Sequence, residues 1–246
     1  MLTNELQKQG NWLFRYRSYV PLVLLPLGII ALYFQIRCCT AFSLSGRWFE
    51  LLCFLVALSG LIVRGIALGY AHSRSSGRNT REQIADQLNT SGIYSIVRHP
   101  LYLGNILIIF GILLYTQSPF FVVAGVLGYI LFYERIIAAE EHFLNEKFGD
   151  EYRRWANETP AFLPRFSQWN KPDVSFSLRT AIKGEFYGFT ALVAIMTILK
   201  HLDGFFRTNH FKPDRIWLIA AGVTLIGFFV LRFIRKHTRF FERDPL

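Results

Sequence analysis

The chain has 246 residues, of which 52% are hydrophobic and 16% aromatic, and its mean hydropathy is positive. Three cysteines and a modest glycine and proline content exclude a disulfide scaffold, a collagen and a disordered chain, and long apolar runs disfavour a soluble α/β enzyme. A net charge of +10 would suggest nucleic acid in a soluble protein, but here the distribution of the charges between apolar runs is more informative. We therefore expect no nucleic-acid partner.

Six apolar segments approach the ~20 residues that an α-helix needs to cross the hydrocarbon core of a bilayer. They cover residues 19–36, 48–70, 101–115, 120–137, 186–202 and 216–234. Because backbone groups in lipid must be paired internally, we predict an all-α polytopic bundle of about six transmembrane helices. The third segment is short, so a re-entrant or partly buried helix is the alternative to a full crossing there.

Lysines and arginines are distributed unevenly between these spans. Most of them lie in the N-terminal stretch, after the second and fourth spans, and in the C-terminal stretch. The other connections hold Arg37, Arg47, Arg207 and Lys212. The positive-inside rule then predicts that both termini are cytoplasmic. Arg37 and the cysteines after it replace the small-residue cleavage site of a signal peptide, so we expect the first span to stay attached.

The second span contains a basic residue, Arg64, in mid-sequence. A cation at membrane depth is costly, so we expect a functional or paired role for it. The polar connection that follows, residues 71–100, contains a short amphipathic piece at residues 81–88 that is expected to lie along the membrane face. It also carries Arg74, Arg78 and Arg81, which can hold an anion or can reflect the positive-inside bias alone.

The third span starts in a motif that reads Arg98-His99-Pro100-Leu101-Tyr102-Leu103-Gly104. Proline is tolerated at the first position of a helix because its missing N–H would have been unpaired anyway. The free N–H groups of that helix start, together with Arg98, predict a binding position for a carboxylate or phosphate. Gly104 lets a flat group or another backbone approach closely. The alternative is a basic cap, with Tyr102 in the interfacial belt, His99 as a capping residue and Gly104 in helix packing.

The fourth span ends in paired acids, Glu140 and Glu141. Helical spacing connects them with apolar residues at Ile137, Leu144 and Phe148. If the helix continues, both carboxylates share a face with those apolar residues, and we expect them to line a site. The alternative is a ladder of charges at the helix end. The six histidines lack metal-ligand spacing, so we expect no metal site, and the absence of a phosphate-binding loop or a nucleophile elbow excludes kinases, classical dehydrogenases and hydrolases.

The two motifs together resemble the isoprenylcysteine carboxyl methyltransferase and phospholipid methyltransferase superfamily. The resemblance rests on the Arg98–Gly104 motif, a hairpin of two spans, the acids Glu140 and Glu141, and the stretch Phe148-Gly149-Asp150-Glu151-Tyr152. It covers residues 56–166, and it implies a membrane methyltransferase that binds S-adenosylmethionine on the cytoplasmic side. The positions that match the cofactor motif of the superfamily are Gly92, Tyr94, Arg98, His99, Tyr102, Gly104, Glu140 and Glu141.

The resemblance also implies a division of the chain into three regions. These are an N-terminal transmembrane region (residues 1–55), a methyltransferase core (residues 56–170) and a C-terminal two-helix extension (residues 171–246). The extension has no chemistry that we can predict, and the oligomeric state is open.

The methyl acceptor is expected to be an anionic headgroup of a membrane lipid. Methyl transfer needs a general base only when the acceptor carries a proton, and strong base candidates are few here. Arg64, Arg78 and Arg98 are expected to hold or align the acceptor anion. The segments SGRNT and TPAF resemble bacterial relatives that methylate a lipid A phosphate, which would place the enzyme in a bacterial inner membrane.

Other acceptors and other functions stay open at this point. A prenylcysteine carboxylate comes second, because Ala161 stands where many members of the superfamily have arginine. The amine of phosphatidylethanolamine comes third. Reductases of related fold bind NADPH, but Pro100 and the paired acids favour a methyltransferase. A non-catalytic transporter is least favoured, because the halves show no repeat and the polar residues cluster at the membrane boundary.

Overall fold

The computed structural model describes residues 2–38, 46–72, 85–238 and 240–241. In these ranges the α-helices are α1 (Leu2–Tyr16), α2 (Leu24–Cys38), α3 (Arg47–Tyr70), α4 (Ile93–Ile96), α5 (Pro100–Leu114), α6 (Pro119–Phe148), α7 (Asp150–Glu158), α8 (Leu178–Thr208) and α9 (Arg215–His237). Short 3-10 helices cover Val20–Val23 and Phe166–Gln168. The described residues contain no strand, only an isolated antiparallel bridge between Gly92 and Asn170. The predicted all-α bundle is confirmed.

Five segments are long and apolar enough to cross a membrane: Val20–Cys38, Arg47–Tyr70, Pro119–Phe148, Leu178–Thr208 and Arg215–His237. They contain five of the six predicted spans. The remaining span is α5, which is apolar but has only 15 residues. At 1.5 Å per residue it is about 22 Å long, which is less than the ~30 Å of a hydrocarbon core. The sequence left open a re-entrant or partly buried helix in place of a full crossing for this segment, and the length of α5 agrees with that alternative.

Close backbone contact between α3 and α5 holds the centre of the bundle together. A Cβ atom added at Gly104 would lie 2.6 Å from the carbonyl oxygen of Gly60, and one at Gly111 would lie 2.6 Å from that of Cys53. Small residues allow such approach where lipid supplies no hydrophobic driving force. On its other side α3 packs on α8, where Leu192, Met196 and Leu199 are buried.

The N-terminal helix α1 packs along α6, a contact that the sequence patterns did not predict. A Cβ atom at Gly10 would lie 2.8 Å from Cβ of Ala139, so glycine permits this approach. The predicted amphipathic piece at residues 81–88 is not found where it can be checked, because residues 85–88 form no helix and residues 81–84 lie outside the described residues. The predicted division of the chain between residues 55 and 56 falls inside α3.

Candidate active site

Three helix ends meet at the candidate site. The first residue of α5 is Pro100, as the sequence predicts, and His99 is its N-cap residue. The side chain of His99 makes no capping hydrogen bond, so His99 occupies the N-cap position without capping the helix through its side chain. Helix α6 continues unbroken to Phe148 and thereby carries Glu140 and Glu141 to the start of α5. Gly149, with φ of 53°, separates α6 from α7 and allows the chain to turn there.

His99 lies at the centre of the resulting cluster, and its side chain is only 5% exposed. Its Nε2 atom hydrogen-bonds Oε1 of Glu141 at 2.9 Å, and the imidazole donates because a carboxylate can only accept. Nη1 of Arg98 lies 3.1 Å from the same carboxylate oxygen. Nδ1 of His99 lies 3.9 Å from Oε2 of Glu140. The structure therefore brings together four of the predicted site residues, from two motifs that are about 40 positions apart.

Some buried polar atoms of this cluster lack a hydrogen-bond partner among the described residues. Nε of Arg98, Oε2 of Glu140 and the hydroxyl of Tyr152 are buried and make no hydrogen bond with the described residues. A buried polar atom without a partner costs free energy, and such atoms are rare in folded proteins. Three of them lie in one cluster, where they leave hydrogen-bonding capacity that a polar ligand could use. They offer it two donors, at Arg98 and Tyr152, and one acceptor, at Glu140.

Tyr152 is a site residue that the sequence analysis quoted but did not assign. Burial and the nearby carboxylate of Glu141 raise the pKa of its phenol. The hydroxyl is therefore protonated at neutral pH and available as a hydrogen-bond donor. Its place in the stretch Phe148–Tyr152, close after the paired acids, was the signal that could have found it.

An aromatic stack lines the other side of His99. The ring of Tyr102 lies 5.7 Å from that of His99 with an interplanar angle of 29°. The ring of Tyr133 lies 4.6 Å from that of Tyr102. Tyr102 is thus part of the cluster and not a lipid-facing belt residue, because its side chain is buried.

Gly92 and Tyr94 support the cluster from the loop before α5. Gly92 has φ of 60°, a conformation that favours glycine, and its N–H donates to the carbonyl of Asn170 at 3.1 Å. The carbonyl of Tyr94 accepts a hydrogen bond from Nε1 of Trp155 at 3.2 Å, and burial raises the pKa of the Tyr94 phenol. The N–H of Arg98 donates to the carbonyl of Pro160 at 2.9 Å. The segment after α7 therefore fixes the backbone on which the cluster stands.

Gly104 has a different place from the one that the cofactor motif implies. Its Cα faces α3, where a Cβ atom would lie 2.5 Å from Cγ of Arg64. The helix-packing interpretation of this glycine is the one that the structure supports. The motif pattern is local and does not distinguish close approach of a ligand from close approach of a helix.

Arg64 is paired within the protein. Its guanidinium donates to both carboxylate oxygens of Glu185 in α8, at 2.7 and 3.0 Å, and to the side-chain oxygen of Asn105. The sequence predicted either a paired or a functional role for Arg64, and the structure shows the paired one. The carboxylate of Glu185 neutralises the positive charge that Arg64 would need to hold an acceptor anion. Glu185 was not predicted as the partner of Arg64, because the predicted span began at residue 186, one position after it. Arg78 lies outside the described residues, as do Arg74 and Arg81.

Comparison with known proteins identifies the family of this chain. Residues 52–151 match the model of the phospholipid methyltransferase family. Over 155 residues the chain is 31% identical to the cobalt-zinc-cadmium resistance protein CzcN of Cupriavidus metallidurans, which covers 61% of this chain and 69% of that protein. The chain belongs to the isoprenylcysteine carboxyl methyltransferase and phospholipid methyltransferase superfamily. The resemblance inferred from the motifs is confirmed.

Two further relatives of this methyltransferase are informative. The nickel-cobalt-cadmium resistance protein NccN of Alcaligenes xylosoxydans xylosoxydans is 29% identical over 160 residues, which is 63% of this chain and 72% of that protein. A probable protein-S-isoprenylcysteine O-methyltransferase of Oryza sativa subsp. japonica is 33% identical over 125 residues, which is 50% of this chain and 65% of that protein. No solved structure matches the chain significantly.

The match to the family model contains the whole cluster of Arg98, His99, Glu140 and Glu141 but ends before α8. The protein is therefore an integral membrane methyltransferase, and its superfamily implies a methyl donor. In the described part of the chain, no three His, Cys, Asp or Glu side chains lie close enough together to hold a metal ion.

Proposed function

We propose that the protein transfers a methyl group from S-adenosylmethionine to an anionic group on a membrane-embedded acceptor. The observation that carries this proposal is the set of buried polar atoms without partners at Arg98, Glu140 and Tyr152. S-adenosylmethionine supplies an electrophilic methyl group attached to a positively charged sulfur. The residues of the cluster match its polar groups in charge and in hydrogen-bonding capacity.

The proposed contacts follow from the free atoms. Nε of Arg98 would donate to the carboxylate of the methionine part, which is an anion that arginine binds well. Oε2 of Glu140 would accept from its ammonium group or from a ribose hydroxyl.

Glu140 and Glu141 would then have separate roles. One oxygen of Glu141 contacts both Arg98 and His99, so that carboxylate holds the cluster in place. Oε2 of Glu140 makes no hydrogen bond within the ranges that the structure describes, and its contact with Nδ1 of His99 is 3.9 Å long, so we assign the ligand contact to Glu140. The cluster would mainly bind and orient, because methyl transfer depends above all on alignment of acceptor, methyl group and sulfur.

The acceptor is proposed to be a carboxylate or a phosphate. Neither needs a general base at neutral pH. The relative from Oryza sativa, and another from Saccharomyces cerevisiae that is 30% identical over 125 residues, are named as isoprenylcysteine O-methyltransferases, which supports a prenylcysteine carboxylate. A lipid A phosphate is supported only by the resemblance of the SGRNT and TPAF segments to bacterial relatives, so we now rank it second as the acceptor. The prediction that both termini and the donor site are cytoplasmic, in a bacterial inner membrane, is part of this proposal.

The donor is tested by calorimetric titration of the full chain, purified in detergent micelles, with S-adenosylmethionine and separately with NADPH. We expect saturable binding of the first ligand only, and a loss of about 10- to 150-fold in affinity for Glu140→Gln. Glu146→Gln is the matched control, because Glu146 lies on the same helix with its side chain 67% exposed. Binding of NADPH alone would contradict the proposal and indicate a reductase.

The acceptor is tested with methyl-labelled donor and two substrates, a farnesylated cysteine peptide and a bacterial lipid extract. Alkali releases methanol from a carboxyl methyl ester far more readily than from a methyl phosphate, so volatile label after mild alkali distinguishes the two products. We expect alkali-labile label on the peptide. Label that stays in the lipid fraction would favour the phosphate, and label on an amine would contradict an anionic acceptor.

A further inference from the structure

Two ion pairs join the same two helices, α3 and α8, at different heights of the bundle. Arg64 pairs with Glu185, and their side chains are 22% and 11% exposed. Glu50 pairs with Lys200, and their side chains are 24% exposed for the lysine and 12% for the glutamate. Glu50 and Arg64 are ~21 Å apart along α3 at 1.5 Å per residue. The pairs are therefore matched in chemistry, burial and partner helices, and they differ in their surroundings.

The pair of Arg64 and Glu185 continues toward the candidate active site through hydrogen bonds. Arg64 donates to the side-chain oxygen of Asn105 in α5, and the amide nitrogen of Asn105 donates to the hydroxyl of Tyr133 in α6 at 2.7 Å. The ring of Tyr133 packs on that of Tyr102, which stacks on His99. The contacts thus run without interruption from α8 to the imidazole that binds Glu141.

The pair of Glu50 and Lys200 makes no such connection. The second oxygen of Glu50 accepts a hydrogen bond from Nε1 of Trp217 in α9 at 3.2 Å. The pair therefore joins three helices, α3, α8 and α9, and its described contacts do not lead to His99. We call this group of Glu50, Lys200 and Trp217 the opposite end.

Stability alone is a weak reason for a buried ion pair. Burial of two charges requires their desolvation, and replacement of such a pair by apolar residues of similar size is often neutral or stabilising. What an ion pair adds is a defined geometry. Because the guanidinium of Arg64 is held at two nitrogens by Glu185, its third nitrogen can select one orientation of the Asn105 amide.

We propose that Glu185 is a positioning residue for the active site, acting through Arg64, Asn105 and Tyr133 on the stack of Tyr102 and His99. The C-terminal extension, which lies outside the family match, then contributes to methyl transfer through this contact. The inference rests on the proposed function, because the affected property is the affinity for the donor. Loss of the pair releases the Asn105 amide, and the Tyr133 hydroxyl then loses one of its two hydrogen bonds and keeps the one with Tyr129.

The experiment compares two apolar double variants of the full chain in micelles. One is Arg64→Met with Glu185→Leu, and the other is Glu50→Leu with Lys200→Met at the opposite end. Neither leaves an unpaired charge in the bundle. Affinity for S-adenosylmethionine is measured by calorimetry, and the folded state is checked by thermal unfolding. We expect the first variant to bind about 10-fold or more weakly with little change in unfolding temperature, and the second to bind within about twofold of wild type.

The single variant Tyr133→Phe tests the path itself. It removes the hydroxyl that accepts from Asn105 and that also lies 3.3 Å from the hydroxyl of Tyr129, and we expect the affinity for the donor to fall by several-fold. Added to the double variant of Arg64 and Glu185, it should weaken binding little further, because both changes break the same chain of contacts. Full additivity would contradict the path. If the first double variant does not fold, Tyr133→Phe decides alone, and wild-type affinity in it overturns the inference.

Failure of the inference and failure of the proposed function have different signatures. If the wild-type protein does not bind S-adenosylmethionine, the proposed function is wrong. If wild type binds and His99→Ala does not, but the double variant of Arg64 and Glu185 binds within twofold of wild type, only the positioning role of Glu185 is wrong.

Discussion

The candidate active site and the opposite end both bury charged side chains, but they differ in how completely their polar atoms are paired. At the opposite end Glu50 has a partner for each oxygen, Lys200 for one and Trp217 for the other. At the candidate active site three buried polar atoms have no partner in the described part of the protein. Burial of charge in a membrane helix therefore does not mark a binding site by itself. Incomplete pairing of several buried atoms in one cluster is the observation on which we base the proposed site, because the missing partners can come from a ligand.

The largest effect is expected for removal of one partner at the opposite end. Glu50→Leu leaves the ammonium of Lys200 buried beside an apolar side chain, and the free energy of unfolding should fall by about 3–5 kcal/mol. Donor affinity of the folded fraction should stay unchanged. Unfolding in mixed micelles measures the first quantity and calorimetry the second. The double variant with Lys200→Met is the control and should recover most of the loss. A loss of donor affinity in the folded Glu50→Leu variant would contradict the conclusion that the opposite end is not part of the binding site.

Removal of an active-site cation should have the reverse profile. Arg98→Ala deletes a charged donor that we assign to the ligand, so donor affinity should fall by about 10- to 150-fold, which corresponds to 1.5–3 kcal/mol. Arg154→Ala is the matched control, because Arg154 is exposed and its Nε donates a long hydrogen bond, of 3.4 Å, to the backbone carbonyl of Asp150. Calorimetric titration of both variants makes the comparison. An affinity of Arg98→Ala within twofold of wild type would remove Arg98 from the proposed site.

The features that could be predicted from the sequence are those that depend on residues close together along the chain. Apolar runs predicted the positions of the five long helices, although α6 and α8 extend well beyond the predicted spans, and Pro100 marked the start of α5. The helical spacing of Glu140 and Glu141 predicted a helix that continues beyond the apolar run, and α6 does so. Two motifs about 40 positions apart then meet at His99, as their common resemblance implied.

The features that were missed depend on which helices become neighbours. Arg64 and Glu185 are 121 positions apart, and the local sequence around either residue does not indicate that the other is its partner. Gly104 satisfies the motif of a cofactor site and the geometry of a helix crossing equally well in sequence, and only the position of α3 decides between them. The tertiary arrangement also determines that Tyr152 is buried at the cluster while the neighbouring Glu151 is exposed.

The packing that supports the active site can be tested at Gly104. Gly104→Ala places a Cβ atom 2.6 Å from the carbonyl oxygen of Gly60, so a backbone must shift, and the expected loss of stability is about 1–3 kcal/mol. Because the same Cβ atom would press on Arg64, donor affinity should also fall modestly. Gly222→Ala in α9 is the control, since nothing lies within 4 Å of its Cβ position. That change should be neutral or stabilising by up to about 1 kcal/mol. Equal unfolding temperatures for the two variants would contradict the close crossing of α3 and α5.

The smallest effect is expected where the core is joined to the C-terminal extension by exposed contacts. The hydroxyl of Ser91 donates to Asp173, Nε2 of His72 lies 3.4 Å from the same carboxylate, and the Ser91 bond lowers the pKa of Asp173. A pKa that is lower in the folded chain than the ~3.9 of free aspartate means that the contact stabilises above about pH 4 and is lost as the pH falls through the folded value. Because the Asp173 side chain is 56% exposed, the contribution should be only about 0.2–0.5 kcal/mol. Asp173→Asn should therefore slightly speed backbone amide hydrogen exchange in the residues after Asp173 at pH 7, and wild type and variant should converge once the pH has fallen below the lowered pKa of Asp173. A difference that persists when the pH is lowered further, until it no longer changes, would show that the asparagine side chain affects this segment by some route other than loss of the charge.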